Sequence, residues 1–184
     1  MFSAAWCSAC NNKNTHDENQ ATEETTAPAS TTVPLPNMVF DIEHFGERGI
    51  NNNHPLSTSE QQRLQVGEID QPLYQNDLSD FKYYLLKEIY KDKEGKILLL
   101  SRTSEMEAFA WLATYDTQEK LVDYQTVYYD EWAESLVNNT SIIRDNCITL
   151  RQYQRDLGTG RESIKTKVFQ INGDLKFKEL HAQK

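Results

Sequence analysis

The chain has 184 residues, of which 38% are apolar, and 28 acidic against 19 basic side chains give a formal net charge of -9. That length suits one domain with an appendage better than two domains. The acidity argues against a nucleic-acid backbone as partner, and no apolar run approaches the roughly 18 residues needed to span a bilayer.

The first residues, Met1 to Cys10, support two readings. Trp6-Cys7-Ser8-Ala9-Cys10 resembles a thioredoxin-type Cys-x-x-Cys pair, but that chemistry needs a buried strand before it and a helix after it. Asn11 to Thr15 is helix-poor, so the required context is missing. Ser8 and Ala9 before Cys10 instead resemble a bacterial lipobox, in which the peptide is cut before a cysteine that carries the lipid. Cys10 is therefore the expected lipid attachment site. Residues 11–36 are dominated by Asn, Thr, Glu, Ala and Pro, as in Thr22-Glu23-Glu24-Thr25-Thr26-Ala27-Pro28. Such a stretch buries too little apolar surface to offset its ordering entropy, and as a coil it spans about 25 to 30 Å. The expected organisation is an anchor and tether over residues 1–36 and one β-rich domain over residues 37–184.

Met38 to Phe45 reads as an entering strand and Gly46 to His54 as loop. Ser57 and Glu60 have capping-box spacing, which predicts a short helix over residues 58–66 ended by Gly67. Phe81 to Tyr90 has a competing helical spacing, but its aromatic and β-branched content and the turns that recur downstream favour a strand. Residues 107–115 carry Phe109, Trp111 and Ala113 on one side and Ala110 and Leu112 on the other, as a central strand does. In Leu121 to Tyr129 the alternation predicts Tyr124 and Tyr128 in the core, with Gln125 and Tyr129 outward. Ser141 to Arg144 and Cys147 to Tyr153 flank Asp145-Asn146. Ile164 to Ile171 meets Leu175 to Leu180 across Asn172-Gly173, a pair suited to a type I′ turn. The fold class expected is mainly β: a single antiparallel β-meander sheet or open barrel, with at most one or two short helices near the start of the domain.

These residues carry a resemblance. Leu112-Ala113-Thr114-Tyr115-Asp116 through Lys120-Leu121-Val122-Asp123, then Ser141 to Thr149, then Phe169 to Phe177, are similar to the β-meanders of small lipoproteins of Bacteroidetes bacteria. The likeness covers about residues 81–180 and departs at Glu119, where family members often have Gly. It implies a cell-envelope location, lipid-anchored on the periplasmic or outer surface, and a fold type, and it brings no chemistry.

Candidate chemistry is thin. Asp41, Glu43, His44 and His54 match no established zinc spacing and read as loop polarity. Gly158 to Ser163 lies between two antiparallel strand candidates and reads as a hairpin turn, since a phosphate loop needs a parallel strand and a following helix. Asp130, Glu131 and Glu134 crowd one polar loop without the paired geometry of a glycosidase. Cys147 reads as a small core residue. Asn138-Asn139-Thr140-Ser141 holds overlapping glycosylation sequons that also read as a turn. Arg144, Arg151, Arg155, Arg161, Lys165 and Lys167 alternate or mix with acids, as on a solvated sheet face. No catalytic residue, cofactor or metal is expected.

The function expected is a non-catalytic, lipid-anchored envelope protein acting as a binding or interaction module. A structural accessory subunit of an envelope complex, or an enzyme with an unrecognised site, is the alternative. The partners expected are the membrane, through the lipid alone, and a glycan or envelope protein. Nine tyrosines supply rings suited to a half-buried recognition face. Tyr129 and Trp132, beside Asp130 and Glu131, are the expected ligand contacts.

Overall fold

The computed structural model describes residues 32–41, 43, 54–70, 81–104, 107–131 and 136–180. The expected fold class holds: one open antiparallel sheet follows chain order from β2 to β9, with two short helices ahead of it among the described residues. Its strands are β2 (Lys82–Lys91), β3 (Gly95–Thr103), β4 (Glu107–Asp116), β5 (Leu121–Glu131), β6 (Val137–Arg144), β7 (Cys147–Arg155), β8 (Glu162–Ile171) and β9 (Phe177–Leu180). The short β1 (Met38–Phe40) pairs antiparallel with β6.

β4 behaves as its sequence predicts. Ala108, Ala110 and Leu112 enter one buried cluster with Ile97, Leu99, Tyr128, Ile143, Ile148, Leu150 and Phe169, while Trp111, Ala113 and Tyr115 enter a second with Leu98, Leu100 and Tyr83. The first cluster lies on the inner face, between β2–β5 and β6–β8. The second lies on the opposite face of β2–β4 and is covered by α1 (Thr58–Arg63) and α2 (Val66–Ile69).

The capping box forms: Ser57 Oγ accepts from the Glu60 amide at 3.4 Å, and Glu60 Oε2 accepts from the Ser57 amide at 2.8 Å. The helix does not run on to Gly67, however. It stops at Arg63, Gln65 turns left-handed at φ 50°, and Gly67 sits inside α2. The reason is packing. Leu64 and Val66 are 1% and 2% exposed, and in a continuous α-helix two residues two positions apart point about 200° apart. The break at Gln65 turns both toward the sheet, and the Tyr115 hydroxyl donates to the Leu64 carbonyl at 2.7 Å.

β5 corrects the expected alternation. Ala110 pairs with Tyr128 but Trp111 pairs with Thr126, so Val127 is an extra, bulged residue. A bulge shifts the pleat by one and exchanges the two faces. Tyr128 is therefore core at 1% exposure, whereas Tyr124, expected in the core, is 40% exposed opposite Ala113.

Two turns exchange roles with their predicted counterparts. Asp145 and Asn146, at φ 52° and 61°, form the two-residue loop between β6 and β7, with both positive φ values that a type I′ turn needs. Asn172-Gly173 does not form one. The Asn172 amide donates to the Lys176 carbonyl, the Leu175 amide donates to the Asn172 carbonyl, and Leu175 takes φ 61°, giving a three-residue loop with β9 starting at Phe177. Burial of Leu175, 3% exposed in the inner cluster, fixes this longer loop. The Asp116–Lys120 turn has the same hydrogen-bond pattern, with Glu119 at φ 62° held by Arg63 at 3.0 Å and by Lys96.

The packed chain begins before residue 37. Val33 and Leu35, assigned to the tether from their Pro-rich surroundings, are 6% and 7% exposed in the inner cluster. The Val33 amide donates to Ile171 O and the Leu35 amide to Asn146 Oδ1, each at 2.9 Å. Pro34 and Pro36 keep this strap extended, so alternate residues face the sheet. Downstream, β1 lines the part of β6 that β5 leaves free: β5 and β6 pair only at Tyr129–Asn139 and Asp130–Asn138, and β1 takes Ser141 to Ile143.

Candidate functional site

Strands β6, β7 and β8 are in unbroken register, so their pleat sets side chains in rows. On the outward face Asn138 stands opposite Tyr153 and Tyr153 opposite Ile164. Thr140, Arg151 and Thr166 form the next row, and Ile142, Thr149 and Val168 the one after. Val39 of β1 lies opposite Ile142. The alternate positions, Ser141, Ile143, Ile148, Leu150 and Phe169, are the inner core. No helix covers this outward face among the described residues, and Ile164, Ile142 and Val39 are 57%, 43% and 39% exposed.

Asn138, Thr140, Arg151, Tyr153 and Ile164 line an open groove of about 280 Å3. The groove offers one ring, one aliphatic side chain, an amide, a hydroxyl and a guanidinium. Arg151 makes no ion pair with an acid among the described residues. Hydrogen bonding to Glu162 raises the Tyr153 pKa above the ordinary phenol value, so the ring stays neutral while its hydroxyl is engaged. A free guanidinium matches a carboxylate's two oxygens, and a ring beside polar groups suits amphipathic ligands.

A second cluster lies where β2, β3, β4 and β5 end together. Arg102 is fully buried, with Nη2 2.5 Å from Glu107 Oε1 and Nη1 3.4 Å from Asp70 Oδ2. Its guanidinium lies 4.2 Å from the Phe81 ring centre and 4.4 Å from that of Phe109. Tyr83 donates to Asp70 at 2.8 Å. Burial raises the Asp70 pKa, opposed by the Tyr83 hydrogen bond and the Arg102 charge. Arg102 Nε and Nη1 have no hydrogen-bond acceptor among the described residues. With Arg102 at its buried centre, this cluster ties α2 to the sheet.

Tyr129 belongs to the wall of that cluster. Its ring lies 4.2 Å from that of Phe109, its hydroxyl donates to Glu107 Oε2 at 3.3 Å, and it is half-buried. Burial and the Glu107 charge push its pKa up to about 12. Both its ring and its hydroxyl are thus engaged within the protein. Trp132 and Cys10 lie outside the described residues, as do His44 and Glu134. Asp130 and Glu131 end β5 opposite Ala108 and Glu107. Cys147 is half-buried, and its Sγ accepts from Gln170 Nε2 at 3.3 Å. Gly158 to Arg161 forms a hairpin turn as expected, with the Gly160 amide donating to the Asp156 carbonyl and Gly160 at φ 67°.

The groove was not singled out from sequence, although its signal is present. The outward residues of β6, β7 and β8 follow strict alternation, and Ile142, Tyr153, Ile164 and Val168 interrupt a largely polar set. Known protein families, curated proteins and solved structures provide no match to this chain.

Proposed function

We propose that this chain is a lipid-anchored protein of the bacterial cell envelope, attached through Cys10, whose β-rich domain is a non-catalytic binding module. The observation that carries the reading is the outward groove of β6–β8, which gathers Tyr153, Ile164 and Arg151, the last without an acid partner among the described residues, on one register-locked face. A backbone already held in register by strand pairing loses little freedom on binding, which favours recognition. Tyr129 supports the neighbouring cluster from within and the groove supplies the contacts. The anchor rests on Ser8-Ala9-Cys10 and the polar stretch behind it.

Two measurements test the reading. Envelope extract of the source bacterium is passed over the immobilised domain, and recovery of any retained partner is compared among wild type, Arg151→Ala and Tyr153→Ala. Each variant should lose about tenfold or more in affinity with an unchanged melting temperature, as hot-spot truncation does. Equal recovery by all three overturns the groove as the recognition surface. Membrane fractionation of Cys10→Ala tests the anchor, and unchanged membrane retention would overturn it.

A further inference from the structure

Strand β8 has one neighbour along its first half and two along its second. β7 pairs with the whole of Glu162 to Phe169, whereas β9 covers only Val168 to Ile171 on the other side. No strand among the described residues pairs with Glu162–Lys167 on that side, so the alternate amides and carbonyls of this stretch that point there have no strand partner among the described residues. Lys165 and Lys167 project from one face at pleat spacing, and Ile164, at the groove wall, from the other. The basic character is local: Val137 to Leu180 contains eight Lys and Arg against five Asp and Glu, in a chain that is acidic overall.

The protein already shows how this edge takes a strand. β9 lies antiparallel on it with Glu179 opposite Phe169, and Glu179 reaches diagonally to Lys167 at 3.2 Å. Diagonal cross-strand pairs of opposite charge stabilise a sheet. Lys165, two residues further along the same face, has no such acid among the described residues.

We propose that the Glu162–Lys167 edge of β8 is a strand-addition site for an extended acidic peptide of a partner protein. The peptide pairs antiparallel in line with β9, places acidic side chains against Lys165 and Lys167, and lays its alternate side chains beside Ile164 at the mouth of the groove. This deepens the binding-module reading and rests on it. Main-chain hydrogen bonds supply affinity and the alternating side chains supply selectivity.

A second copy of the chain is a poorer occupant. Two β8 edges related by a two-fold axis must match outward face to outward face, which pairs even with even and odd with odd positions. The register centred on Ile164 then sets Arg161 opposite Lys167, and the register centred on Lys165 sets that lysine against itself. Edge lysines deter such self-pairing, and the same charges attract an acidic strand.

The test uses the full chain and three synthetic ten-residue peptides: alternating glutamate and valine, the same with N-methylated backbone amides, and alternating lysine and valine. Binding is read by fluorescence anisotropy and by amide hydrogen exchange of the protein. The glutamate peptide should bind and slow exchange at the outward amides of Glu162–Lys167, and the N-methylated and lysine peptides should not. The double variant Lys165→Glu/Lys167→Glu should reverse the preference by about tenfold in each direction, in keeping with two cross-strand charge pairs. Equal binding of the N-methylated peptide overturns the proposal, as it would show charge attraction without strand pairing. Slow exchange of these amides in the free protein also overturns it, because the edge would already be covered. If the glutamate peptide fails while Arg151→Ala still loses a partner from extract, strand addition falls and the binding-module reading stands.

Discussion

Replacing Arg102 with Met keeps much of the side chain's volume and removes its charge. Asp70 and Glu107, whose side chains are 7% and 20% exposed, then lose their only cation in contact among the described residues. Breaking a buried ion pair by removing one partner costs about 3–5 kcal/mol, because the remaining charge is left in a poorly solvating site. That is a large share of a typical domain's stability of about 5–15 kcal/mol. The triple variant Arg102→Met/Asp70→Asn/Glu107→Gln removes the stranded charges and should recover most of the loss, ending within about 2 kcal/mol of wild type. Burial already raises the Asp70 pKa, so near there the folded state holds a proton that the unfolded state releases. Stability attributable to Asp70 is therefore highest below its ordinary value of 3.8 and falls as pH rises through the folded-state value. Without Arg102 that folded-state value rises further, so the defect should be larger at neutral pH than at pH near the ordinary carboxylate value. Denaturant titrations at both pH values measure it. A loss below about 1 kcal/mol at neutral pH, or a triple variant no better than the single one, would refute the idea that this network holds α2 to the sheet.

Other expectations follow from geometry. At Gly95 an added Cβ would stand 2.1 Å from the Tyr115 carbonyl oxygen and 2.6 Å from Leu175 Cδ1, so Gly95→Ala should destabilise by about 2 kcal/mol or more in a denaturant titration. Asp145→Val places a β-branched residue at φ 52° and should cost about 1–2 kcal/mol, whereas Gly173→Ala, at a position without positive φ, should cost less than half as much in the same assay. Ultraviolet titration should find the Tyr129 hydroxyl ionising near 12, and Glu107→Gln should lower that value toward the ordinary one by removing a neighbouring negative charge. Glu119→Gly relieves a left-handed non-glycine backbone but loses contacts to Lys96 and Arg63, so its melting temperature should improve relative to wild type as salt is added.

The meander was legible because its signals are local. Continuous apolarity marked β4 as central, and Ser57 with Glu60 marked the start of α1. What escaped notice depended on distant partners. Nothing near Val127 announces a bulge, which exists because Ala110 and Trp111 take partners two residues apart on β5, and the exposure of Tyr124 follows from it. Asn172-Gly173 carries the stronger turn signature, yet burial of Leu175 overrides it, while Asp145-Asn146 reaches the paired positive φ values without glycine. Val33 and Leu35 look like linker because of their flanking prolines, and only Ile171 and Asn146 reveal them as strap. Arg102 reads as one more strand-end cation until Asp70, Phe81, Glu107 and Phe109 converge on it. The groove escaped for a related reason, since its rows exist only once three strands share a register.

The pairing of β1 with β6 also sets an order of assembly. Strands β2 to β9 each meet the next in sequence, so their contacts close short loops and form early. Met38 must instead wait for Ile143, about a hundred residues later in synthesis. Until it arrives, the gap between β5 and β6 stays open and the inner cluster lacks Phe40, while Leu35 and Val33 wait for Asn146 and Ile171, later still. The segment nearest the proposed anchor therefore docks only after β6 has been made, and until then the seam that β1 closes is open to stray strands.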